Sequence, residues 1–501
     1  MIKHSILPFL FASLASLCTL SLAAQDTLEV TRLGRRGTFR PNWALHRAAK
    51  AQDLGPGGIY FTGEKHQLVI FASFEDNPFL GDSATTIALW DKILNTKHLN
   101  EPPFVGSIHD YFYDQSYGQF SLTFDLQFVR VGNRSRYKST ELDDENSQYL
   151  VQDVINSLKQ RDIEWNLYDW NGDGYVNQLL IIYAGQGSKY GGLGPSYDAI
   201  WPHQWWLSQH LKDRQQNIYC SPDTVQYLSK DYILDAYCAV QEISPDSTYG
   251  TFGTLCHEFT HCFGFPDFYY SGYNKTPHKW ELMDYGNYCE EGFRPVGFSS
   301  HERWLMGWLT PIELTSATTV TDMPALSDQP VAYLIRNDNY PNEFYLLENR
   351  QKKGWDAELP GNGLLVFHID YDPSVWLSGF GNTDNEQHYM IIPANNKTSR
   401  SGCNGWAYPY ENNDELTDSS LPPATLWHAN LSGKKLMSKP VTNITVNDSL
   451  VSFSFMASPT GLVQGEKTTD EWTKIIHNGQ LFLRHKGLLY NLQGIKIQGH
   501  F

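Results

Sequence analysis

A chain of 501 residues is longer than one hydrophobic core normally serves, so two or three domains are expected. An apolar share of 41% and an aromatic share of 14% exclude a wholly disordered chain. The formal net charge of −17, with no basic stretch to replace the counterions around phosphates, excludes a nucleic-acid partner.

Lys3 and His4 open the chain, Ile6–Leu22 is almost wholly apolar, and small residues follow at Ser21-Leu22-Ala23-Ala24. This pattern predicts a signal peptide over residues 1–24 and hence an exported protein, secreted or held at the cell surface. The apolar run is broken by Pro8 and by serines, and no later stretch is long enough to span a bilayer. In an oxidising compartment Cys220, Cys238, Cys256, Cys262, Cys289 and Cys403 could form up to three disulfides. No Cys-x-x-Cys spacing is present, so a thiolate zinc site is not expected. Residues 25–60, with Arg35-Arg36 and the breaker cluster Gly55-Pro56-Gly57-Gly58, read as a leader or propeptide without a cysteine for a latency switch.

The first domain is expected over residues 61–310. Gln67–Phe74 is a dense apolar run that predicts a buried strand, followed by helical patterns at Thr85–Leu94 and Ile108–Asp114 and a strand at Ser121–Val129. A helix over Ser147–Leu158 and a buried strand over Asn177–Gly185 come next, while the aromatic segment from Gly187 to Asp246 gives no clear periodicity. A helix at about Thr251–Phe263 and another at Phe298–Trp308 close this part. After Pro311, short strand-like runs at Val331–Arg336, Glu343–Asn349, Gly363–Ile369 and Val451–Phe455 predict a β-rich, sandwich-like domain over residues 311–458. Residues 459–501 form a C-terminal segment with two strand candidates, Gln480–Arg484 and Leu488–Leu492.

The chemistry concentrates at His257-Glu258-Phe259-Thr260-His261. Histidines four apart on a helix project from one face about one turn apart, a workable bite for one zinc ion. Glu258 stands beside the first ligand, where its carboxylate can act as general base on a metal-activated water. Gly264 can take the positive φ that ends a helix sharply, letting the chain fold back and offer Asp267 as a third, oxygen ligand. The expected reaction is metal-assisted hydrolysis, zinc lowering the pKa of water from about 15.7 towards 7 and Glu258 taking its proton.

Glu281-Leu282-Met283-Asp284-Tyr285-Gly286, downstream of this HExxHxxGxxD run, resembles the Met-turn of the metzincin peptidases. That resemblance implies that Met283 forms a hydrophobic floor under the metal and that Tyr285 offers its hydroxyl to the metal or oxyanion. Aspartate as third ligand narrows the likeness to the immune inhibitor A family of secreted bacterial zinc metallopeptidases. Gly106-Ser107-Ile108-His109-Asp110-Tyr111-Phe112, Asp114-Gln115-Ser116-Tyr117-Gly118, Trp201-Pro202-His203, Leu346-Leu347-Glu348-Asn349-Arg350 and Phe367-His368-Ile369-Asp370 are similar as well. The resemblance covers roughly residues 67 to 455. It implies an α+β fold in which a metzincin-like zinc peptidase domain precedes a β-sandwich, with protein or peptide substrates.

Asp169-Trp170-Asn171-Gly172-Asp173-Gly174-Tyr175-Val176-Asn177 begins like a calcium loop, with Asp169, Asn171, Asp173, the Tyr175 carbonyl and Asn177 as oxygen donors. Leu180 stands where an EF-hand would place its bidentate glutamate, so a plain Asx/Gly turn is the competing reading. His203, His210, His278, His301 and His368 read as structural or surface residues. The end of the chain resembles the C-terminal sorting segments of type IX export in Bacteroidota. Two rival functions stay open: a gluzincin using Glu281 as third ligand, and a non-catalytic surface-binding or adhesion protein on a degenerate peptidase fold, against which the presence of Glu258 counts.

Overall fold

A computed structural model of the protein describes residues 61–137, 146–172, 174–187, 200–207, 226–244, 248–269, 276–372, 375–376, 381–382 and 387–457. It also describes short strand pieces at 28–30, 37–39, 209–211, 218–220, 473–477, 480–485, 488–490 and 496–497. The signal peptide expected at 1–24, most of the leader, and Asp173 lie outside the described residues.

The chain divides into two compact units, Met1–Met456 and Ala457–Phe501. In the first, the run at Gln67–Phe74 lies inside strand β1 (Gly63–Phe74). After it come α1 (Ser83–Asn95), α2 (Ile108–Gln115), β2 (Phe120–Val131), α3 (Ser147–Leu158), β3 (Leu179–Gln186), β4 (His203–Trp206) and β5 (Ala236–Ile243). The sheet order is β2-β1-β3-β5-β4, with β1 parallel to β2 and β3, β5 parallel to β3, and β4 an antiparallel edge. Central parallel strands are covered on both faces, which is why β1 and β3 are nearly unbroken apolar runs. The helices start where their caps dictate: Asp82 accepts the Thr85 N–H of α1, and Ser107 and Asp110 form a capping box on α2.

β5 was not legible, because its eight buried residues include Gln241 and Glu242. Glu242 is satisfied from afar, its carboxylate accepting the N–H groups of Leu80 and Gly185 at 3.1 and 2.9 Å. The helix expected at Phe298–Trp308 shortens to α5, Ser300–Leu305, after the intervening α4 (Phe252–Thr260). α5 begins at a second capping box, Ser299 with Glu302.

The β-rich part contributes β6 (Ile312–Glu313), β7 (Thr318–Met323), β8 (Tyr333–Arg336), β9 (Glu343–Arg350), β10 (Gly363–Asp370), β11 (Tyr389–Ile391), β12 (Val441–Asn447) and β13 (Leu450–Phe455). They form a five-stranded sheet, β6-β8-β9-β10-β11, and a three-stranded sheet, β7-β13-β12. Tyr345, Leu347, Leu364 and Val366 face a core shared with Val320, Val441, Val451 and Phe453 of the smaller sheet. Their strand neighbours Phe344, Leu346, Leu365 and Phe367 face the larger core that also holds α4 and β1. β9 and β10 are therefore buried along their whole length, a middle layer covered on both faces.

The architecture is thus a mixture of helix and sheet, as the α+β reading expects. Cys238, Cys256, Cys262, Cys289 and Cys403 are free thiols. Among the described residues no helix is long and apolar enough to cross a membrane. In the second unit, Thr473–His477, Gln480–His485, Leu488–Tyr490 and Lys496–Ile497 pair in sequence order as an antiparallel sheet.

Candidate metal centre

α4 carries His257 and Glu258 and is buried at every position. It stops at Thr260, and the chain tightens into a single 3-10 turn over His261–Phe263. Gly264 then adopts φ 90°, ψ 15°, the left-handed conformation that a residue with a Cβ resists. This reversal brings Asp267 back over the two imidazoles, whose ring centroids are 5.0 Å apart and nearly perpendicular at 89°.

Each imidazole is oriented by a backbone carbonyl. His257 Nδ1 donates to Leu282 O at 2.9 Å, and His261 Nδ1 donates to Phe265 O at 2.8 Å. Because a carbonyl can only accept, the proton sits on Nδ1 and the neutral ring keeps a lone pair on Nε2. Those two Nε2 atoms stand 3.1 and 3.4 Å from Asp267 Oδ1, which is itself buried and accepts no other hydrogen bond among the described residues. Three lone pairs converging in a buried space repel one another unless a cation lies between them. Ligand atoms about 2.0–2.1 Å from a tetrahedral zinc ion lie roughly 3.3 Å from each other, so the spacing fits that ion. His257, His261 and Asp267 are the one such group of ligand atoms, all within 4.8 Å, among the described residues.

Glu258 Oε2 lies 4.0 Å from His261 Nε2, on the ligand side of the helix and nearly buried. Met283 is fully buried, and its carbonyl accepts the Phe268 N–H at 2.9 Å, so the 281–284 turn braces both the His257 ring and the ligand loop. Glu281 belongs to a different cluster. Its Oε2 accepts from Tyr389 Oη at 2.9 Å, and it bonds to Glu302, whose own Oε2 accepts from Ser299 N and Oγ. Burial pushes both carboxyls up, and two buried acids in contact share a proton.

Tyr285 stacks on His278 at 4.9 Å and lies under the Arg400 guanidinium at 4.2 Å. Sequence reasoning missed Tyr269, two residues past Asp267. Its ring runs nearly parallel to His257 at 6.3 Å, and its hydroxyl bonds to the Asp267 carboxylate. That carboxylate, together with burial, pushes the phenol far above its ordinary range. At the expected calcium loop, Asp169 accepts the N–H groups of Gly172 and Gly174 at 2.8 and 2.9 Å, and Asn177 Oδ1 accepts that of Trp170 at 2.6 Å. The turn is closed from within by these bonds.

Residues 94–307 match the Immune inhibitor A peptidase M6 catalytic domain. That range includes both histidines, Glu258, Asp267 and the 281–284 turn. A stretch of 173 residues is 30% identical to Immune inhibitor A of Bacillus thuringiensis subsp. alesti, covering 31% of this chain. The match spans about a quarter (24%) of that relative's length. Over the matched segment, the chain is similar to the immune inhibitor A peptidases.

Proposed function

We propose that the protein is a secreted zinc-dependent endopeptidase acting on extracellular proteins or peptides, with Glu258 as general base. The observation that carries it is the convergence of two Nε2 lone pairs and a carboxylate oxygen at 3.1 and 3.4 Å, at spacings a tetrahedral zinc ion requires. A zinc ion held by His257, His261 and Asp267 would supply Lewis acidity and a water of lowered pKa. Glu258 accepts the proton of the attacking water and delivers it to the leaving amine, a role suited to a nearly buried carboxylate beside the ligands. Leu282 and Phe265 fix the tautomers of both imidazoles through their carbonyls.

Glu258→Ala is expected to retain zinc and fold while losing casein cleavage. A purified Glu258→Ala protein that cleaves casein at the wild-type rate refutes the assignment. The gluzincin alternative is disfavoured by the engagement of Glu281 with Glu302 and Tyr389. Asp267→Ala should therefore lower zinc content and Glu281→Ala should not. The proposal extends to removal of residues 1–24 on export, a peptidase domain over 61–310, a β-rich domain over 311–458 and a sorting role for 459–501. It also includes a structural calcium ion at residues 169–177. A melting temperature lowered by EGTA and restored by calcium but not by zinc supports that ion, and a melt unmoved by EGTA with no calcium by elemental analysis leaves a self-closed turn.

A further inference from the structure

Asp267 is a short ligand. Two side-chain torsions separate its carboxylate from the backbone, so the position of its Cα largely sets where Oδ1 lies. The backbone of this loop is held from two sides. From the 281–284 turn, Met283 O accepts the Phe268 N–H at 2.9 Å. The other side comes from residues 381–382 and 388–389, more than a hundred positions away and beyond the matched segment 94–307. Gly381 N donates to the carbonyl of Asp267 itself at 2.8 Å, and Asn382 Nδ2 donates to the Phe268 carbonyl at 2.9 Å.

Asn382 is fully buried and spends its whole amide on this junction. Nδ2 also donates to Tyr389 O at 2.8 Å, while Oδ1 accepts from His388 N and Tyr389 N, each at 3.0 Å. Both donors and both lone pairs are satisfied, so the side chain has one orientation. The Phe268 ring lies stacked on Tyr389 at 3.8 Å and 10°, with Trp376 edge-on at 6.0 Å. Gly381 is confined as well: a Cβ there would sit 2.6 and 2.9 Å from Phe268 ring atoms.

We infer that Asn382 and Gly381 are positioning residues for the third metal ligand: they fix the Asp267–Phe268 backbone, so that a segment outside the matched catalytic domain sets the geometry of the metal centre. This rests on reading His257, His261 and Asp267 as the zinc ligands. Hydrogen-bonding partners one step behind a ligand typically hold 10–100-fold of metal affinity, and these partners bear on the ligand's own backbone.

The experiment measures zinc affinity by chelator competition and the visible spectrum of the cobalt-substituted protein for wild type, Asn382→Ala, Gly381→Ala and Phe453→Leu. Phe453 is buried in the second core, so its truncation lowers stability without touching the ligand loop. The expected result is about 10–100-fold weaker zinc binding in Asn382→Ala and Gly381→Ala, with an altered cobalt spectrum, and wild-type values for Phe453→Leu. If Asn382→Ala does not fold, Asn382→Asp carries the test. It keeps shape and both accepted bonds but faces the Phe268 and Tyr389 carbonyls with an acceptor. Asn382 variants that fold and retain wild-type zinc affinity and cobalt spectrum overturn the inference. A wild-type protein that binds no zinc, or a His257→Ala protein that binds it as tightly, overturns the metal reading itself.

Discussion

Arg350 is the charge on which the junction between α5 and β9 rests, and replacing it tests how the two parts of the first unit are joined. Its guanidinium is fully buried and forks onto Asp356, Nε to Oδ2 at 2.8 Å and Nη2 to Oδ1 at 2.7 Å. Nη1 reaches Glu348 Oε1 at 3.1 Å, and Nη2 also donates to the Gly297 carbonyl at 3.0 Å. Both carboxylates are buried as deeply as the cation. Arg350→Met keeps most of the volume but leaves Glu348 and Asp356 without their cation, and an orphaned buried charge costs about 3–5 kcal/mol. Urea unfolding at pH 7 is expected to show that loss as a lower midpoint at unchanged slope. Because the orphaned carboxylates can be neutralised by protonation, the deficit should shrink as pH falls towards 4. Adding Glu348→Gln and Asp356→Asn should recover much of it at pH 7. A loss below about 1 kcal/mol, or a deficit independent of pH, refutes the argument.

His301 lies fully buried among Phe344, Tyr371, Trp376 and Tyr389, and neither ring nitrogen has a hydrogen-bond partner among the described residues. Burial pulls its pKa down to about 3 from 6.5. The folded state therefore binds fewer protons than the unfolded state between those values, and stability falls as pH drops through that window. Wild type measured against His301→Leu, with chelator present, should lose about 1.4 kcal/mol per pH unit below 6.5; a constant difference would rule this out. For a tyrosine hydroxyl assisting the proposed hydrolysis, Tyr269 is the nearer candidate through its bond to Asp267, so Tyr269→Phe is expected to lower kcat at least tenfold with little change in KM, and Tyr285→Phe much less. The reverse ranking in peptide assays would return the role to Tyr285.

The candidate metal cluster of His257, His261 and Asp267 was legible because its information is local. Two histidines four apart, a glycine able to reverse the helix and an aspartate three further on need no knowledge of tertiary structure. Buried apolar strands such as β1 and β3, and the capping boxes at Ser107 and Ser299, are local in the same sense. The family-like stretches were recognisable as text but not as physics. Asp110 proves to be a hub that accepts from His98 N, Leu99 N and Ser107 N at 2.8–3.0 Å. Gln115 accepts from Phe298 N and Arg303 Nη2, and Glu348 from Ser300 N and Arg350. Phe298, Arg303 and Ser300 lie 183, 188 and 48 positions from their partners, so no window along the chain could pair them. The same distance hid Asn382, Glu242 on β5, and the Glu343–His368 bond of 2.8 Å.

These long-range bonds bear on how far the surroundings of the candidate site reach along this chain. The matched segment ends at residue 307, yet the surfaces around the proposed metal centre continue past it. Trp355 stacks on Phe252, the first residue of α4, at 5.8 Å, and its Nε1 donates to Asp114 at 2.9 Å. Arg350 and Asp356 clamp the backbone at Gly297, between the 281–284 turn and α5. Tyr389 covers Phe268 on its ring face and bonds Glu281 through its hydroxyl, touching the ligand loop and the Met-bearing turn at once. The Trp355 and Tyr389 rings thus lie against α4 and against the loop and turn that hold the proposed ligands. A sheet acting only as a neighbouring module would need none of them. The larger sheet of the β-rich part is therefore a wall of the proposed metal centre, one face of it packed into the core that also holds α4 and β1.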